Sequence, residues 1–206
     1  MKRLIVIGLT IPALALAAAA MSSGGTGNAA ALHVHPNATA SSTPQELAPM
    51  LADARLATAK YATSLKRAKR DGYRIIVTQH IPDMGHHFLN PNITGFDITK
   101  PPILVYVNRG GKWQLVAFEW VFTETPATPP LPGAEYGSFA AACHYVDGTF
   151  VPAAAEADCP PRSPQSGAKF GFWHPDFVTL HLWAWYPNPD GIYNGTNRLV
   201  RPFNVS

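Results

Sequence analysis

The stretch "PILVYVNRGGKWQLVAFEWVFT", residues 102–123, decides the fold. Two apolar runs, 102–107 and 112–123, flank Asn108-Arg109-Gly110-Gly111. The glycines there can take positive φ, so the stretch reads as a β-hairpin. In 113–121 one face carries Trp113, Leu115, Ala117, Glu119 and Val121, and the other Gln114, Val116, Phe118 and Trp120. Both faces are mostly apolar, the pattern of a strand covered on both sides. Glu119 is then a carboxylate in an apolar row, and burying it unpaired is very costly.

Outward from the hairpin the period of two recurs. "YRIIVTQHI" (73–81) reads as a strand, and "TPATPPLPG" (125–133) as a proline-rich excursion without one. "FVTLHLWAWY" (177–186) is the strongest strand and is closed by the turn residues "PNPDG". One of its faces reads Phe177, Thr179, His181, Trp183, Trp185, so His181 is a second polar group among large aromatics. Upstream, residues 44–70 place Leu47, Leu51, Ala54, Ala57, Tyr61, Leu65 and Ala68 on one helical stripe. Thr43 and Glu46 resemble a capping box, Pro49 suggests that the regular part starts near it, and Gly72 is the expected stop. Lys66, Arg67, Lys69 and Arg70 fill the last turns, where cations suit the helix dipole. They read as a solvated helix end, with an interaction patch as the alternative. The expected class is α+β, an N-terminal helix packed on an antiparallel sheet, with a small, partly closed β-barrel as the variant.

The chain of 206 residues carries a net charge of +3, too little for a nucleic-acid footprint. It opens "MKRLIVIGLTIPALALAAAA", a positive start, an apolar run and small residues, which reads as a secretory signal peptide. Pro12 and the alanine tail make a poor membrane span. The expected organisation is a signal peptide and leader over 1–31, cleaved after the Ala17 region or after Ala29–Ala31. A flexible linker over 32–43 and a single domain over 44–206 follow. Such a protein is secreted or extracytoplasmic and holds no membrane segment after cleavage. In an oxidising compartment Cys143 and Cys159 are expected to form a structural disulfide, with a Cys/His metal site including His144 as the alternative. Asn37, Asn92, Asn194 and Asn204 head glycosylation sequons, relevant only in a host that uses them.

The remaining chemistry gathers around "DMGHHFLNP", residues 83–91, read as a turn carrying His86 and His87, with His80 just upstream. In an extended segment these adjacent histidines face opposite ways. Two imidazoles and a carboxylate around an open position are a common mononuclear metal arrangement, with zinc the default and copper the rival outside the cytoplasm. The expected ligands are His87, Glu119 and His181. The same trio could serve proton transfer, or be a buried network that satisfies itself. An aromatic-lined pocket for a small molecule is the other alternative. His174, before Pro175, reads as a loop residue, and His144 lies inside the disulfide loop. His33 and His35 could bind copper or zinc near a new N-terminus. No phosphate loop, nucleophile elbow or cysteine-nucleophile signature is present, so the sequence names no reaction.

The motifs "MGHHFLNP", "LVAFEW" and "LHLWAWYPNPDG" together resemble a family of uncharacterised secreted microbial proteins over roughly residues 54–197. That family has a Met-Gly-x-His-x-x-Asn turn, a Leu-Val-x-x-Glu-aromatic strand and a Leu-His-x-Trp-x-Trp strand. The resemblance maps its motif histidines onto His87 and His181 and its glutamate onto Glu119, and leaves His86 at a variable position. It implies no activity or cofactor. The cysteine-bounded insert at 143–159 departs from the family pattern.

Overall fold

A computed structural model describes residues 33–34 and 44–203. The expected signal peptide, the leader and most of the linker, with His35, Asn37 and Asn204, lie outside the described residues. The elements are β1 (His33–Val34), α1 (Pro44–Thr58), α2 (Leu65–Arg70), β2 (Ile75–Ile81), β3 (Gly85–Leu89), β4 (Ile103–Arg109) and β5 (Lys112–Phe122). Then come β6 (Gly137–Phe139), β7 (Ala142–Tyr145), β8 (Phe150–Pro152), β9 (Phe170–His174) and β10 (Phe177–Leu182). The expected hairpin is β4–β5, turning through Gly110 and Gly111, both at positive φ.

All described pairings in the large sheet are antiparallel, in the order β1-β6-β10-β5-β4-β3-β2. The sheet curls into a half-barrel and stays open, so the barrel variant is corrected to an open one. Closure would need β1 to meet β2, and these are the two edges. Phe88, Leu104, Phe118 and Leu182 form one transverse row by register. They pack in one cluster with Leu47, Ala54, Leu65 and Ala68 of the helical layer. The side chains of the other face alternate with these, and a second sheet, β8-β7-β9, docks against that side through Val77, Phe139, Ala142 and Phe150.

The helix expected over 44–70 is two helices. Pro49 lies inside α1, which begins before it. The chain breaks at 59–64 because the sheet offers better partners for two carbonyls. Tyr61 O accepts from Tyr106 Oη at 2.8 Å and Ala62 O from Leu115 N at 2.8 Å. Ser64 Oγ then accepts from Arg67 N and starts α2. The strand expected over 177–186 stops at Leu182. Beyond it Trp183 N bonds Ile192 O and leaves the ladder, while Trp185 N still bonds Val116 O of β5.

Candidate functional site

The stretch read as a turn around His86 and His87 is a strand. The turn lies just before it, where Met84 N bonds Ile81 O. Gly85 opens β3 at φ +119°, and a Cβ there would sit 2.5 Å from Tyr106 O. Only glycine lets β3 approach β4 this closely. Extended backbone then sends the two histidines to opposite faces. His86 packs edge-on to Trp113, ring centres 4.9 Å apart, and burial pushes its pKa down to about 4. His87 faces the other way and is fully buried.

Register fixes the rest. His181 of β10 is the direct cross-strand partner of Glu119 in β5, and Ile103 of β4 is the partner of Glu119 on its other side. His87 pairs with Val105 of β4 and with Thr78 of β2. Two strand spacings, about 10 Å on a flat sheet, separate β3 from β5. The curl of the half-barrel and the length of both side chains close this gap. His87 Nε2 comes to 3.5 Å from Glu119 Oε2. The ring centres of His87 and His181 are 6.0 Å apart. Thr78 Oγ1 hydrogen-bonds His87 Nδ1 at 2.6 Å and fixes the orientation of the ring. A hydroxyl can donate or accept, so this bond leaves the tautomer open.

This polar layer lies between two apolar clusters on the same face. On one side are Val105, Val107, Ala117 and Trp183, and on the other Val77, Phe139 and Phe150. Glu119 is 3% exposed, and burial alone pushes its pKa up to about 8. Its Oε1 has no hydrogen-bond partner among the described residues. Thr179 Oγ1, on the same face of β10 as His181, is likewise buried without one. The structure thus brings His87, Glu119 and His181 to one buried face. Among the described residues, however, no group of three or more His, Cys, Asp or Glu side chains stands ready to hold a metal ion. His87 and Glu119 face each other across 3.5 Å, and the His181 ring lies beside His87, with ring centres 6.0 Å apart. Trp120 and Trp183 are fully buried packing residues.

Sequence reasoning missed a second pair. His144 lies in β7 and His174 in β9, both buried, with ring centres 4.9 Å apart. The His144 ring stacks on Phe172 and that of His174 on Phe177. His144 Nδ1 bonds Val77 O at 2.7 Å and His174 Nδ1 bonds Pro175 O at 2.6 Å. A carbonyl only accepts, so each ring carries its proton on Nδ1 and leaves a lone pair on Nε2. Neither Nε2 has a hydrogen-bond partner among the described residues. Burial pushes the His144 pKa down to about 4 and lowers that of His174. The signal available in the sequence was the alternation of Phe170, Phe172 and His174.

Cys143, beside His144, is disulfide-bonded to Cys159, and no free cysteine is present among the described residues. No described helix is long and apolar enough to cross a membrane. No known protein family, curated protein or solved structure matches the chain, so the site is read from its own geometry.

Proposed function

We propose that the chain is an extracytoplasmic domain that binds one divalent cation between His87 and Glu119, with His181 as the third ligand. The observation that carries this reading is the 3.5 Å between His87 Nε2 and Glu119 Oε2, both fully buried. That distance is long for a hydrogen bond, whose N–H···O range ends near 3.2 Å. It suits two ligands of one ion: donors about 2.05 Å from a tetrahedral zinc lie about 3.4 Å apart. A cation would also neutralise a carboxylate that burial otherwise disfavours, and give the open Oε1 a partner. Thr78 would hold the ring of the ligating histidine, as outer partners of metal-bound imidazoles do.

The cross-strand pairing of His181 with Glu119 is what supports it as the third ligand. Directly opposed residues have Cβ atoms about 5 Å apart, within reach of an imidazole turning toward the Glu119 carboxylate. Neutral imidazoles with one carboxylate suit zinc first and copper(II) second. The extracytoplasmic placement is supported by the disulfide, which persists in oxidising surroundings.

The test is metal analysis of untagged protein, followed by zinc and copper titrations of the chelator-treated chain. One equivalent per chain is expected, with a melting temperature that falls on chelation in wild type and does not respond in His87→Ala or Glu119→Gln. No bound metal and no chelator response in wild type would leave His87 and Glu119 as a core pair and end the proposal.

A further inference from the structure

A groove unrelated to the His/Glu site runs between α2 and the β4–β5 hairpin. Two clefts of about 870 Å³ and about 600 Å³ lie side by side there and share Leu65, Lys66 and Trp113 in their walls. Lys66, Lys69, Arg70 and Arg74 line it on one side, and Arg109 and Lys112 on the other. Half-buried Trp113 is common to both parts. No aspartate or glutamate lines either part.

The charge there is not neutralised from nearby. Asp71, at the end of α2, is already engaged by Lys60 at 3.3 Å, by Tyr61 Oη at 2.9 Å and by Arg67 at 4.0 Å. Lys100, Arg198 and Arg201 each have a carboxylate partner, whereas none of the six groove cations forms an ion pair among the described residues. What holds the groove cations is neutral. Arg109 lies over the Phe203 ring and bonds Gln114, Lys69 lies over Phe88, and Arg74 Nε bonds Lys69 O. Such partners restrain the side chains and leave their charge intact, which lowers the entropy lost on binding an anion. Gathered around two open clefts, the charges sum to a local positive potential there.

We propose that this groove binds a segment of an acidic polysaccharide. The occupant must offer several spaced anionic groups on a chain narrow enough to lie in a cleft, and a face that packs on an indole. A pyranose ring bearing carboxylate or sulfate groups does both. The disulfide fits an oxidising, extracytoplasmic setting, where acidic glycans are accessible. Carboxylated and sulfated glycans share the recognising chemistry, so the two are separated by experiment.

The full chain is titrated with oligogalacturonate and with oligomeric dextran sulfate, against neutral dextran, a single-stranded oligonucleotide and phosphatidylglycerol vesicles. Binding of one or both acidic glycans is expected, weakening about tenfold or more between 50 and 300 mM NaCl as screening shortens. Which of the two binds identifies the anionic group. Lys66→Glu with Lys112→Glu should weaken binding about tenfold or more and flatten the salt dependence, with an unchanged melting temperature, because both residues are exposed. Trp113→Ala should weaken binding without flattening the salt dependence, the mark of a stacking contact. The proposal is overturned if neither acidic glycan binds, if the oligonucleotide or the vesicles bind as tightly, or if the folded double-lysine variant binds like wild type.

Discussion

His181 and Glu119 stand directly opposite each other on β10 and β5, both almost fully buried, on the one sheet face that also carries His87. The pairing puts an imidazole beside a carboxylate whose proton affinity burial has raised, and this has a signature in the pH dependence of stability. The folded-state pKa of Glu119, about 8, lies above its ordinary value of 4.5. The folded state therefore holds a proton that the unfolded state releases. The associated stability is complete below about pH 4.5 and is lost as pH rises through 8, by a few kcal/mol. In chelator, urea denaturation of wild type at pH 5, 6.5 and 8 should show this decline, and Glu119→Gln should not. With saturating zinc the wild-type decline should shrink, because the cation favours the carboxylate.

His144 should produce a slope of the opposite sign. Its folded-state pKa, about 4, lies below the ordinary 6.5, so the neutral ring is favoured in the fold. That stability is present above pH 6.5 and is lost as pH falls through 4, on the order of 3 kcal/mol. His144→Phe keeps the ring stack on Phe172 and gives up the bond to Val77 O, at a cost of about 1 kcal/mol near pH 7. The variant should lose its share of the acid-side decline, leaving the part that buried His86 and His174 contribute. An unchanged acid limb would show that another group governs it.

Gly85→Ala is expected to be costly for two reasons at once. The residue sits at φ +119° and a Cβ would meet Tyr106 O at 2.5 Å. A loss of about 2–4 kcal/mol is expected in denaturant midpoint. Because β3 must then move off β4, His87 is carried away from Glu119, and cation affinity should fall together with stability.

The Cys143→Ala, Cys159→Ala variant loses a crosslink closing a span of 16 residues, worth roughly 3 kcal/mol. The effect should be local. Hydrogen exchange should accelerate first in β7, β8 and β9, while amides of β4 and β5 keep their protection. Equal acceleration in both sheets would mean that the two open as one unit.

Much of the sheet was legible because its central strands are long and their composition is unambiguous. A carboxylate at 119 and an imidazole at 181, each centred in an apolar row, are conspicuous at a period of two. The position of His87 was harder, since β2 meets β3 through two register shifts and no local pattern encodes them. The small sheet was invisible for another reason. Its strands are only three to five residues long, too short to show a period, and β7 finds β9 about thirty residues later in the chain. His174 shows the ambiguity well: a residue before proline is extended whether it ends a strand or begins a loop. What makes it structural is its contact with His144 and Phe177, which only the fold supplies.

The break between α1 and α2 bears on the order in which the molecule assembles. The donors that capture the carbonyls of Tyr61 and Ala62 belong to Tyr106 and Leu115, roughly fifty residues later in the chain. Until those residues arrive, only the Ser64 cap and the turn bonds of Ala62 N and Ser64 N favour the interruption, against a helical stripe from Leu47 to Ala68 that favours a continuous rod. The bend is thus acquired when the hairpin docks. The expected outcome is that an isolated peptide of residues 44–70 shows helical chemical shifts across 59–64, where the completed protein has its break; a break already present in the peptide would refute this order.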